Sequence, residues 1–187
     1  MENIFFKNYF SSLTKLINRQ KNFIQKLKKT CQILRDKKKK NKKVFIFGNG
    51  GSSAIASHVA IDLSNICKIK TFNFNDASLI TCFSNDFGYE NWMTKTLDLY
   101  GEQSDILFVI SSSGESKNII NACLSAKKKK FDRVITFTGF KKSNAVSKLG
   151  DINFWVNSKS YNFVENVHQI LLLSIVDCLK LKLKNIS

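Results

Sequence analysis

The chain of 187 residues has no proline and only two histidines, and its 14 acidic residues are outnumbered by 30 lysines and arginines. The missing proline, beside abundant Lys, Asn, Ile and Phe, marks a compositional bias, and the formal charge of +16 is read first in that light. Long apolar runs are missing too. The longest, Ile170 to Val176, is interrupted by Ser174 and falls far short of the roughly eighteen residues that a membrane span needs. Met1 to Phe10 lacks the basic start, apolar block and small-residue cleavage site of a secretory leader. No two of the five cysteines form a Cys-x-x-Cys pair, which fits reduced thiols and argues against a disulfide framework. These absences lead us to expect a cytoplasmic protein, and 43% apolar content over this length suits one domain with a complete core.

Arginine and aromatics are scarce where nucleic acid would need them. The lysines gather in two runs, Lys37 to Lys43 and Lys127 to Lys130, with no interleaved aromatics for stacking and almost no arginine for reading bases. Both runs fall at expected helix ends, where lysine complements the dipole and keeps the surface solvated. Nucleic acid is therefore not the expected partner.

What is present is organised around Val44-Phe45-Ile46-Phe47-Gly48-Asn49-Gly50-Gly51-Ser52-Ser53. A buried strand runs into a glycine turn, and the helical pattern that leaves it carries His58 and Asp62. Such a turn lets backbone approach a ligand, and the helix start favours an anion; it also serves as a plain strand-to-helix connection. A dinucleotide fingerprint is excluded, because Ser53 stands where a third glycine belongs and Asn73 where an acid belongs. A nucleoside-triphosphate loop is excluded because no lysine occurs between Lys43 and Lys68. A phosphomonoester is the ligand that remains.

Along the chain, Phe6, Phe10, Leu13, Ile17, Gln20, Ile24, Leu27, Cys31 and Leu34 recur in steps of four and three, a helical stripe longer than one sheet face covers. We expect it to pack against helices of other subunits. Strand patterns follow at Val44–Phe47, Thr71–Phe74, Ile106–Ile110, Val134–Phe137 and Ile152–Val156, alternating with helices near 52–66, 78–84, 89–100, 116–130 and 143–149, and a last helix near 162–183. That alternation predicts an α/β fold with a doubly wound parallel sheet, whose ligands bind beyond the carboxyl ends of the strands.

The third strand ends in Ser111-Ser112-Ser113-Gly114-Glu115-Ser116, four hydroxyls at a helix start that offer an anion several donors without a fixed positive charge. One of them could be a simple N-cap, but not all four. In Ser84-Asn85-Asp86-Phe87-Gly88-Tyr89-Glu90, Asp86 either caps the next helix or reaches into the site.

Together with Val164-Glu165-Asn166-Val167-His168, these stretches resemble the sugar isomerase (SIS) domain family, and within it most the sedoheptulose-7-phosphate (phosphoheptose) isomerases. The resemblance implies one SIS domain over 1–187, with 1–36 as a helical oligomerisation segment and 43–187 as a flavodoxin-like, five-stranded phosphosugar-binding core, assembled as a homotetramer. It places Ser111, Ser112, Ser113 and Ser116 at the substrate phosphate, Asn49, Gly50, Gly51 and Ser52 beside the sugar, and Ser84, Asn85 and Asp86 toward the substrate chain. It implies proton transfer between C1 and C2 of a ketose phosphate, with Glu165, Asp62, His58 and His168 as candidate catalytic groups, and heptose synthesis for a surface polysaccharide as the setting. Zinc is the cofactor it suggests, with His58, Asp62 and Glu165 as ligands and no nucleotide cofactor. The chain departs from the family at Asp62, Glu165 and Leu173, where many members have glutamate, glutamine and a second histidine. Leu173 keeps two other readings open: a phosphosugar-binding regulator without catalysis, or a scaffold like the DnaA initiator-associating protein.

Overall fold

The computed structural model describes residues 1–184. Its centre is one all-parallel sheet of β1 (Val44–Gly48), β2 (Thr71–Phe72), β3 (Ile106–Ser111), β4 (Arg133–Thr138) and β5 (Ile152–Trp155), in the order β2-β1-β3-β4-β5. This is the flavodoxin-like order, in which the chain reverses direction across the sheet between β1 and β3 and opens a crevice at their carboxyl ends. The helices are α1 (Glu2–Arg19), α2 (Ile24–Lys39), α3 (Gly51–Asn65), α4 (Ala77–Phe87), α5 (Trp92–Tyr100), α6 (Lys117–Lys128), α7 (Ala145–Leu149) and α8 (Tyr161–Lys184).

β1 and β3 are buried throughout, so their apolar runs are continuous rather than alternating. Val44 and Ile46 face a core shared with Leu34, Leu63, Phe108, Phe137, Phe154 and Leu172. Phe45 and Phe47 face the opposite core of Trp92, Met93, Leu97, Leu107, Ile119 and Phe131. Each such ring contributes about 2 to 3 kcal/mol by leaving water. The edge strand β2 has only Thr71 and Phe72 in register with Val44 and Phe45, two residues shorter than its sequence pattern suggests.

Two ion pairs tie down the ends of the sheet opposite the crevice. Asp105 is fully buried and accepts from the backbone N–H of Lys43 at 2.8 Å and of Glu102 at 2.9 Å, while Lys43 Nζ lies 3.3 Å from it. It thus sets β1 against β3 just before both strands begin. Lys37, buried at the end of α2, pairs with Asp132 at 2.9 Å immediately before β4. The first lysine run is therefore partly structural and not only a solvated surface.

The N-terminal stripe is not one continuous seam. A 3-10 turn at Gln20–Phe23 separates α1 from α2, at the polar interruption of the pattern. Cys31 and Leu34 pack inward as expected, but Phe6, Phe10 and Ile24 are exposed, and the buried residue of α1 is Leu16. Leu13, Ile17 and Leu27 of the stripe pack against the same core as Leu34, so a single chain covers part of the stripe and leaves its N-terminal end exposed.

Removing the Asp105 carboxylate leaves two backbone donors and an ammonium unanswered. Asp105→Ala is expected to lower unfolding stability by about 3 kcal/mol, read from urea denaturation.

Candidate active site

β1 and β3 deliver two loops to the crevice. The β3 loop turns through Gly114, whose φ of +69° is a left-handed conformation and where a Cβ would also run into the Asn144 side chain. Gly114 N–H donates to Ser111 Oγ at 3.2 Å and Glu115 N–H to Ser113 Oγ at 3.3 Å, leaving both hydroxyl protons available. Ser116 is the N-cap residue of α6 but makes no side-chain capping bond, and the buried Ser112 Oγ has no partner. A helix start without its cap, ringed by hydroxyls, is suited to an anion. Ser111, Ser112, Ser113 and Ser116 share a cavity of about 110 Å³ with Asn49, Ser52, Tyr161 and Glu165.

Glu165 comes from the first turns of α8 and meets the glycine turn from the far side. Its carboxylate rests against Gly51, where a Cβ would fall 2.9 Å from Cδ, and Ser52 Oγ lies 3.5 Å from Oε1. Gly51 is thus needed for room, so that an acid can settle on the backbone. Glu165 also lines a second, larger cleft of about 590 Å³, whose walls are Gly51, Ala54, Ile55 and His58 of α3, Asn162, Asn166 and Gln169 of α8, and Tyr9 of α1. Among the described residues, no other lines both spaces. Tyr9 is held there by edge-on contact with Phe163 at 4.7 Å between ring centres.

The model of the SIS domain matches residues 6–139. Over 142 residues the chain is 39% identical to the phosphoheptose isomerase of Hamiltonella defensa, covering 73% of this chain and 68% of that protein. The chain belongs to the SIS domain family. It is also 33% identical over 163 residues to the phosphoheptose isomerase of Glaesserella parasuis, with 84% and 82% covered. The phosphoheptose isomerase structure from Neisseria gonorrhoeae shares the SIS fold at a TM-score of 0.90 and 22% identity, over 96% of this chain and 98% of that one.

The other candidates in this SIS chain fall into three groups. His58 lines the larger cleft and its Nε2 lies 3.3 Å from Asp62 Oδ2, so the i, i+4 spacing does put both on one helix face. They do not form a metal site with Glu165. Among the described residues, no three His, Cys, Asp or Glu side chains come together in a way that could hold a metal ion, and the zinc ligand set is not present within one chain.

Ser84, Asn85 and Asp86 are not in a loop, because α4 runs on to Phe87. Asp86 therefore caps nothing. Asn85 donates to its carboxylate at 3.0 Å, and the residue at the N-cap of α5 is Asn91. None of the three lines either space within the chain.

His168 lies one turn beyond Glu165 but on the inward face of α8. It is fully buried, edge-on to Phe137, with Nε2 3.1 Å from the carbonyl of Thr138 and Nδ1 without a partner. Three residues fall about 60° short of a full helical turn, and that offset is enough here to move the ring from the crevice into the core. Leu173 likewise packs against the core.

Sequence reasoning missed Tyr9, Tyr161, Asn118 and Tyr89. Asn118 and Tyr89 both hydrogen-bond Asn49. Tyr89 stood inside a run already singled out, and the position of Tyr161 at the start of the last helix was a usable signal. Nothing in the pattern marks Asn118 or Tyr9.

Burial lowers the His168 pKa from 6.5 to about 4, although its bond to the Thr138 carbonyl favours the proton. The unfolded ring takes up a proton near pH 6.5 and the folded one does not, so the stability tied to the neutral ring is complete above pH 6.5 and is lost as pH falls toward 4. Over that window the loss amounts to about 3 kcal/mol. His168→Gln is expected to flatten the pH dependence of urea unfolding by about one proton.

Proposed function

We propose that this SIS protein is a cytoplasmic aldose–ketose isomerase acting on sedoheptulose 7-phosphate and supplying a heptose 7-phosphate for surface-polysaccharide synthesis. Its relatives named phosphoheptose isomerase support the substrate. The observation that carries the chemistry is the Glu165 carboxylate, seated on Gly51 at the wall common to the serine cavity and the open cleft. The serine loop takes the phosphate, and the cleft takes the sugar.

In the open-chain ketose, Glu165 removes a proton from C1 while the C1–C2 double bond forms and the C2 carbonyl electrons move to O2, giving an enediolate. The O1 proton then passes to O2, the C1 carbonyl forms, and Glu165 returns its proton to C2, so that atoms and charge are conserved. His58 and Asp62 pair on the cleft wall, where the imidazole can carry a proton between substrate oxygens. Because every group in this scheme belongs to the protein, turnover is expected to survive a chelator.

A homotetramer is part of the proposal. Ile4, Phe5, Phe6 and Phe10 are exposed on α1, an apolar face that association would cover. Phe6→Asp with Phe10→Asp is expected to reduce the assembled mass measured by light scattering; an unchanged mass would count against α1 as the interface.

The deciding experiment follows sedoheptulose 7-phosphate by NMR with wild type and Glu165→Gln, with chelator and with added zinc. Turnover lost at least about a hundredfold in Glu165→Gln is the expected result. Phosphosugar binding without turnover would instead favour the regulator, a reading that the packed Leu173 supports. Recovery only with zinc would reject the metal-free route.

A further inference from the structure

The carboxamide of Asn49 is held by a network whose orientation follows from one backbone group. Ile119 N–H, in the first turn of α6, can only donate, so the Asn118 atom 3.0 Å away is its oxygen. Asn49 Nδ2 donates to that same oxygen at 3.0 Å. The other end of the Asn118 amide has only protons to give, and it gives one to Asn49 Oδ1 at 2.8 Å. The Tyr89 hydroxyl, 3.1 Å from Asn49 Oδ1, then donates as well.

An amide oxygen has two lone pairs, and both of those on Asn49 are occupied. One of its two amide protons is occupied by Asn118. The second proton is the only capacity left, on a side chain that lines the serine cavity with Ser52 and Glu165. Asn118 is 3% exposed, so water does not compete for its bonds, and reversing the Asn49 amide would set donor against donor and acceptor against acceptor.

We propose that Asn118 and Tyr89 are positioning residues that lock the Asn49 carboxamide, so that Asn49 meets the substrate only as a hydrogen-bond donor. The substrate atom facing it is then an acceptor. On the isomerase reading, on which this last step rests, that atom is the oxygen that gains negative charge as the enediol forms. A donor already aimed at that charge stabilises the transition state without reorienting.

The test has a spectroscopic arm that does not depend on turnover. In protein with 15N-labelled asparagine side chains, one Asn49 amide proton is expected to be protected from solvent exchange and the other to exchange freely. Added sedoheptulose 7-phosphate should shift and protect only the second. Free exchange of both protons in the wild type would overturn the proposal.

In the kinetic arm, Tyr89→Phe should lower kcat roughly fivefold, the loss expected for one hydrogen bond, with KM changed by less than about twofold. Asn49→Asp, which replaces the donor by an acceptor, should lower kcat about a hundredfold. Tyr89 is exposed, so its substitution does not threaten the fold, whereas Asn118→Asp tests the inner half of the lock. If Tyr89→Phe changes neither the Asn49 resonances nor kcat, the lock is rejected. A wild type that shows the exchange pattern and binds the sugar phosphate without isomerising it would keep the lock and reject the isomerase.

Discussion

The carboxylate of Glu165 occupies space that a side chain at residue 51 would fill, and the arrangement of the crevice depends on that contact. It joins the start of α8 to the start of α3, two elements separated by most of the chain. The rest of the architecture keeps the contact in register. Asp105 aligns β1 with β3 at the far end of the sheet, so that the glycine turn and the serine loop emerge side by side. His168 fixes α8 to the carbonyl of Thr138 at the end of β4, one turn below Glu165.

The resulting site has an uneven charge distribution. A chain of formal charge +16 places no lysine or arginine in the wall of the serine cavity. The groups that face that cavity are oriented dipoles: the uncapped start of α6, the hydroxyls and the peptide groups. Fixed cations would bind phosphate more strongly but would also stabilise the Glu165 anion and weaken it as a base. The lysines stand elsewhere, where their summed field draws anionic substrates toward the protein.

The sheet was legible because burial on both faces writes a strand as an unbroken apolar run, as in Val44–Phe47 and Ile106–Ile110. The serine loop and glycine turn were legible because glycine and serine at a strand end have few other uses. Legibility failed where a period alone decides a direction. Phe6 and Phe10 lie on a correct helical stripe, but the period does not say which of its members the chain itself covers. His168 and Glu165 share a turn of α8 yet point to opposite environments. Asp86 was placed in a loop that α4 absorbs. Asn118 was invisible because its role depends on Asn49, a partner far away in sequence that only the fold brings near.

Glu165 is the single wall that the two spaces share, and their closures differ. The serine cavity is small and is lined by the strand ends and by the helices that follow them. The larger space is bounded on one side by Tyr9, from a helix that lies before the sheet and rests on α8 through Phe163. One wall of the larger space therefore comes from the N-terminal arm, and the others from α3 and α8. A substitution at Tyr9 would thus change the boundary of the larger space without changing a residue of any strand.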